Sequence, residues 1–406
     1  MGKNRVVLKV LAICTVIIIL AGTGILVWQL LTTTSDTESD HGATLFGKET
    51  DRGGLFGGAG LFPKNTTTTT TLPSLIPSAM PSESPSWSPS LYEYNKYSFN
   101  QCSPDATRCC NGVETLCDWP VNDILFGIPH NAMATNDLFL VPNQQRSIGD
   151  ALKAGFRGIN VDVCRCQGLY KLCHGFCGIG ELDPIIAISS MVSFLRLPEN
   201  QQEVLLLTME LNSDAGEPVD LNHFYETILH PIEGLDDYLY VHDGPGRPWP
   251  TLGSMIDDGT RLIVFHYNGP NCNNEDEGES CPRGMHPYFQ YVQETPFELS
   301  SIDAILDTDT SCVVSRGAAS ADGSFFAVNN FVTLDTFDSL DKQLEAAATA
   351  NALEFANQRL KQCARLHQRQ GNNNRDSQVN MLYVDFWDLG DIVQVVQEHN
   401  QNLGTF

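Results

Sequence analysis

Positive charge is scarce in this sequence. The 406-residue chain sets 24 Lys and Arg against 49 Asp and Glu, a formal net charge of −25. That balance excludes a nucleic-acid partner, because a phosphate backbone needs a basic face. It also argues against broad docking on anionic lipid surfaces. Any anionic substrate has to be met by a local cation. Several catalytic signatures are missing too. There is no Gly-x-Ser-x-Gly elbow, no His-Glu-x-x-His and no dinucleotide-binding glycine motif. The Gly-rich stretch GGLFGGAGLF (53–62) lacks the Gly-Lys-Ser/Thr ending of a phosphate-binding loop and reads as linker.

What is present begins with an apolar run. Val10 to Trp28 is 19 residues without a charge, long enough to cross a bilayer as a helix. Lys3, Arg5 and Lys9 precede it, and Asp36, Glu38 and Asp40 follow. By the positive-inside rule, residues 1–9 are cytoplasmic and 10–31 form a transmembrane signal anchor. The rest is then lumenal or extracellular, as in a single-pass type II membrane protein. A cleaved signal peptide is the alternative, but no clear small-x-small site follows Trp28. Residues 32–96 are Gly-rich and then Thr/Ser/Pro-rich, a composition that suits an extended, glycosylated stalk. Asn65-Thr66-Thr67 is an N-glycosylation sequon. Of the 13 cysteines, twelve lie beyond the apolar run. In an exported chain they read as disulfides, with connectivity open. The group Cys164, Cys166, Cys173 and Cys177 could alternatively hold zinc.

Residues 97–406 carry the folded part. The pattern predicts strands at Ile124–Ile128, Gly158–Cys164, Tyr170–His174, Val204–Glu210, Leu239–His242, Leu262–His266, Phe325–Val332 and Met381–Phe386. Helical patterns cover Ser147–Ala154, Ile185–Leu197, Leu221–Leu229, Thr251–Asp258, Leu340–His367 and Leu389–His399. Strands alternating with helices predict an α/β fold of the TIM-type (β/α)8 barrel class, with an open doubly wound sheet as runner-up. The first four strands end in polar residues: His130-Asn131, Asn160 with Asp162, His174, and Glu210. In a barrel those ends meet at one mouth. Asn160 and Asp162 are two apart and share a strand face. Two imidazoles suit acid–base work near neutral pH, and the amide and carboxylate oxygens suit a hard cation. Together they describe cleavage of a phosphodiester.

The segments FGIPHNAMA, GFRGINVDVCRC, LCHG, VLLLTMEL, WPTLGSMIDDGTRLIVF, FFAVNNFVT and LYVDFWDLGDIVQVV run in order from about residue 120 to 400. As an ordered set they resemble the phosphatidylinositol-specific phospholipase C X-domain, within the PLC-like phosphodiesterases. The resemblance implies a phosphoric diester hydrolase acting on a phosphoinositide or related phosphodiester in lipid metabolism. His130 matches the catalytic His that activates the inositol 2-hydroxyl, and His174 matches the proton donor to the leaving oxygen. Asn131, Asp162 and Glu210 match ligands of calcium (Ca2+) in metal-dependent members. Asn160 stands where those members have Glu, which removes one negative charge. Arg157 matches a family position and is a candidate for substrate binding or for a structural role at the strand entrance. Asp385 is placed to orient His130, or else is a buried turn carboxylate. His266 ends a strand and is a candidate for lining the mouth, or a simple rim residue. Two other readings remain open, a glycerophosphodiester phosphodiesterase-like enzyme and a catalytically degenerate, membrane-anchored binding module.

Overall fold

In a computed structural model of the chain, the described residues are 99–175, 177–212, 217–267, 281–317, 323–333, 339–369 and 378–403. The expected cytoplasmic segment, apolar span, stalk and Asn65 sequon lie outside them. Among the described residues, no helix is long and apolar enough to cross a membrane.

Ten described strands form two sheets. One runs in the order β1 (Phe126–Pro129), β10 (Met381–Val384), β9 (Phe325–Asn329), β8 (Val292–Glu294). The other runs β4 (Glu181–Leu182), β3 (Leu169–Cys173), β2 (Gly158–Cys166), β5 (Leu205–Asn212), β6 (Leu262–Tyr267), β7 (Met285–Pro287). The first sheet is parallel throughout, and β3 adds an antiparallel hairpin to the second.

The expected closed (β/α)8 barrel is therefore corrected to two separate sheets, since no ladder joins them among the described residues. Where β1 meets β2, Gly158 packs so closely that an added methyl would overlap Ile128 Cγ1, and a single backbone bond, Ala132 N–H to Asn160 O at 2.8 Å, crosses the seam. Between β7 and β8 the chain turns through a helical segment, Tyr288–Tyr291, whose rings Tyr288 and Tyr291 are buried. The expected strand at Leu239–His242 shrinks to a single bridge, Leu239 to Leu262, because β7 takes the place beside β6. The long expected helix divides into Leu340–Ala350 and Leu353–Arg369. At the break, Asn351 Nδ2 donates to the carbonyls of Asp385 (2.9 Å) and Phe386 (3.2 Å), fixing the chain just beyond β10.

Strand alternation sorts the core into two layers. On β2 and β5, Ile159, Val161, Val163, Leu205, Leu207 and Met209 face the helices. Residues of the opposite parity point between the sheets, where Phe126, Ile128, Leu206, Phe265, Phe325 and Tyr383 share a second core. Burying such side chains contributes roughly 1.5–3 kcal/mol each. The helices pack as their caps dictate. Ser147 accepts from Asp150 N–H at the start of Ile148–Ala154, and Asp183 accepts from Ile185 N–H before Pro184–Arg196.

Five disulfides join described cysteines: Cys102–Cys109, Cys110–Cys117, Cys164–Cys173, Cys166–Cys177 and Cys312–Cys363. The four cysteines considered for zinc are thus paired with one another.

Three histidines, His266 and His286 buried and His399 half-buried, bear on the fold's response to acid. Burial pushes His266, His286 and His399 each down to about 4 from the usual 6.5. The unfolded chain takes up these protons near 6.5, whereas the folded chain resists them until about 4. Their stabilising contribution is therefore complete above the upper value and lost as pH falls through this window. The Tm from calorimetric melts should fall steadily between about pH 6.5 and about pH 4. His399→Gln should flatten part of that slope, and an unchanged slope would contradict the assignment.

Candidate active site

The strand ends enclose a cavity of about 390 Å³. His130 and Asn131 follow β1, Asp162 lies on β2, His174 follows β3, and Glu210 lies on β5. Tyr267 ends β6, Glu294 ends β8, Asn329 ends β9, and Tyr383 and Asp385 come from β10 and the residues after it.

His130 is held on several sides. Its backbone N–H donates to Val384 O at 2.8 Å, extending the β1–β10 pairing by one residue. Gln144 Nε2 donates to both His130 O (2.6 Å) and Val384 O (3.2 Å). The ring stacks on Phe331, with centroids 4.2 Å apart and planes 6° from parallel. Nδ1 lies 2.9 Å from Asp385 Oδ1, and Asn143 Nδ2 donates to Asp385 Oδ2 at 3.1 Å. An ionised carboxylate only accepts, so this contact places the proton on Nδ1 and leaves Nε2 for proton transfer.

Asn131 adopts φ +45°, a left-handed conformation that Asn tolerates better than most residues. Its N–H donates to Asn160 Oδ1 at 2.9 Å. Asn160 Nδ2 in turn donates to Thr208 Oγ1 at 3.1 Å, and Asn160 O accepts from Ala132 N–H at 2.8 Å. Asn160 is thereby a strut between the end of β1 and the β2–β5 pair. It is buried and does not line the cavity.

Asp162 and Glu210 are register partners on β2 and β5 and both line the cavity. Burial first, and then the neighbouring Glu210 charge, hold Asp162 well above the usual carboxylate range. Burial, Glu210 and Asp162 likewise push the Tyr267 hydroxyl up. With its amide nitrogen turned toward Asp162, Asn131 donates to Oδ1 at 2.8 Å and Oδ2 at 3.3 Å.

His174 sits between two disulfides. Cys173 and Cys177 flank it in sequence and bond to Cys164 and Cys166, which lie on β2. Its Nδ1 lies 2.8 Å from Val141 O, and a carbonyl only accepts, so Nδ1 carries a proton and Nε2 is the exchangeable position. Burial lowers its pKa below the usual value; the Val141 contact opposes that shift, and the His130 charge adds to it.

Six of the nine residues singled out from sequence line this cavity: His130, Asn131, Asp162, His174, Glu210 and Asp385. Asn160 stands behind it. Arg157 lies outside it, at the entrance to β2, with Nε 2.6 Å from Glu203 Oε2 and its guanidinium over the Phe99 ring. His266 is buried on the helix-facing side of β6, while the adjacent Tyr267 faces the cavity. The neighbour of opposite parity was the informative one.

Sequence reading missed the remaining wall. Arg316 Nη2 donates to Glu294 Oε1 at 2.7 Å, and Asn329 Nδ2 donates to the same oxygen at 2.8 Å. The Arg316 guanidinium also lies over the Phe297 ring at 4.5 Å. Glu294 ends a three-residue strand, too short to show alternation. The Asn329-Asn330 pair closing β9 was the available polar strand-end signal.

The PI-PLC X 1 family model matches residues 116–400. PI-PLC X domain-containing protein 1 of Arthroderma benhamiae is 25% identical over 237 residues, which is 56% of this chain and 70% of that protein. A PI-PLC X domain-containing protein of Arabidopsis thaliana is 26% identical over 160 residues, and the chain spans 36% of that relative's length. Among solved structures, a phosphatidylinositol-specific phospholipase C of S. aureus aligns over 70% of this chain and 94% of its own at 12% identity, with a TM-score of 0.45.

Removing the Asn160 strut leaves the buried Asn131 N–H without its acceptor. Asn160→Ala should therefore lower unfolding free energy by about 1–3 kcal/mol in denaturant titrations. A loss below about 0.5 kcal/mol would show that the strut is dispensable.

Proposed function

The chain belongs to the PI-PLC X family, and on that premise we propose that its cavity cleaves a phosphodiester of the phosphatidylinositol type by two-histidine acid–base chemistry with a divalent cation. One observation carries the reading: His130 and His174 line the same cavity, each with Nδ1 engaged and Nε2 left for proton transfer.

The headgroup hydroxyl next to the diester attacks phosphorus, and His130 Nε2 takes its proton. Asp385 meets the charge that develops on that ring. The bond from phosphorus to the glycerol oxygen breaks, and His174 Nε2 gives that oxygen a proton. Burial favours the neutral form of His174, so its imidazolium gives up a proton readily. The products are a cyclic phosphodiester of the headgroup and a neutral diacylglycerol. The two histidines end with exchanged protonation states, so protons and charge balance.

Asn131, Asp162 and Glu210 would hold the cation. Asp162 is buried, Glu210 beside it in register is half-buried, and a bound cation would have the Asn131 amide present its oxygen in place of the nitrogen that donates to Asp162, giving a hard oxygen set of the kind calcium prefers. Among the described residues, no group of three or more His, Cys, Asp or Glu has metal-binding geometry, so the reading adds an amide oxygen to the two carboxylates. Asn160 is the weaker candidate, since its amide oxygen already accepts from Asn131 N–H. When bound, the cation would spread the charge on the non-bridging phosphate oxygens. A lumenal or extracellular setting belongs to the same reading, supported by the five disulfides.

The full-length protein should release inositol phosphate from phosphatidylinositol in mixed micelles. His130→Ala or His174→Ala should each lower kcat by about 10²–10⁴. Product formed at the parent rate by either variant would reject the site. EDTA should abolish turnover and added calcium restore it, whereas undiminished turnover in EDTA would remove the cation from the account.

A further inference from the structure

Asn143 stands where the cation-site residues and the His130–Asp385 pair meet. It lines the cavity beside Val141 and Pro142 and is half-buried. Its backbone is tied to both sides. The N–H donates to Ala134 O at 2.9 Å, on the segment that follows Asn131, and the carbonyl accepts from Phe386 N–H at 2.7 Å, next to Asp385. Phe386 is held there at φ +44°, a left-handed conformation that a bulky residue keeps only when its surroundings impose it. The Asn143 side chain is tied the same way. Nδ2 donates to Asp385 Oδ2 at 3.1 Å, while Asp385 Oδ1 meets His130 Nδ1 at 2.9 Å. On its other side, Asn143 Oδ1 faces the Asn131 amide.

That Asn131 amide has two orientations, and they exclude each other. With its nitrogen toward Asp162 it donates to the carboxylate at 2.8 and 3.3 Å. With its nitrogen toward Asn143 it donates to Oδ1 at 3.4 Å, and its oxygen takes the place beside Asp162. Only the oxygen can coordinate a cation held by Asp162 and Glu210, so cation binding requires the second orientation. In the first, two amide oxygens would face each other where the 3.4 Å contact stood. Asn143 would relieve that by turning its own amide, which sets its oxygen against Asp385 Oδ2 and takes the N–H away from that carboxylate. The two amides and Asp385 are satisfied together only with the Asn131 oxygen on the cation side.

Building on the cation-assisted phosphodiesterase reading above, we infer that Asn143 is a positioning residue that relays the orientation of the Asn131 amide to the Asp385–His130 pair. Cation binding and the seating of Asp385 on His130 are then coupled through the chain Asn131, Asn143, Asp385, His130. Coupling is reciprocal, so loss of Asp385 weakens cation binding through Asn143, although neither residue is a ligand.

Calcium binding tests this without turnover. Calorimetry on the full-length protein in detergent would compare the parent, Asn143→Ala, Asp385→Ala and the double variant. Each single change should weaken calcium binding at least about threefold, and the effect of Asp385→Ala should shrink at least about threefold once Asn143 is gone. Additive losses in proteins of parental Tm would overturn the inference, because a merely structural Asn143 and a plain charge effect of Asp385 would add. A parent that binds no calcium would overturn it too. A second measurement needs no variant. In NMR of the parent with nitrogen-labelled histidine, calcium should slow solvent exchange of the His130 Nδ1 proton at least about threefold, and exchange unchanged at saturating calcium would contradict the relay. If the coupling holds while phosphatidylinositol is not cleaved, the catalytic reading falls and the relay stands. Cleavage accompanied by additive losses removes the relay alone.

Discussion

The Asn160 carboxamide holds together a site that is divided between two sheets. His130 and Asp385 belong to the β1–β10 side, while Asp162, Glu210 and the disulfide-pinned His174 belong to the β2–β5 side. No ladder spans that seam among the described residues. Asn160 reaches across it, accepting from Asn131 N–H through its side chain and from Ala132 N–H through its carbonyl. Its Nδ2 is anchored on Thr208 of β5. A Glu at this position could accept from Asn131 but would have no N–H for Thr208. The amide at this position therefore acts as a brace between the two sheets.

The brace matters because the chemistry asks for fixed distances between groups on different elements. His130 is locked by a stacked ring, a carboxylate and a glutamine bridging two carbonyls. His174 is locked by two disulfides and a carbonyl. In the proposed reaction each engaged Nδ1 leaves Nε2 for proton transfer, the preorganisation that acid–base catalysis rewards.

Much of this was legible in the chain because the signals were local. Strand alternation put Asn160 and Asp162 on one face, and the polar strand ends marked His130, His174, Glu210 and Asp385. Closure into a barrel was not legible. It depended on whether strands too short to show a period, Met285–Pro287 and Val292–Glu294, ran on into each other or were parted by a helical turn. His266 was one residue out of phase, since Tyr267 takes the cavity face. Arg316 and Glu294 escaped notice because a loop residue and a three-residue strand carry no periodic signature. Asn160 looked like a weakened ligand because sequence shows what a residue carries and not which hydrogen bonds already use it.

The division of labour between the two histidines is the central claim, and leaving-group chemistry tests it most directly. kcat/KM would be compared for phosphatidylinositol and for an inositol phosphodiester with a thiolate leaving group, which departs without a proton. His174→Ala should lose roughly 10²–10⁴ on the lipid yet stay within about tenfold of the parent on the thiolate substrate, while His130→Ala loses heavily on both. Equal losses for His174→Ala on the two substrates would contradict its role as the acid.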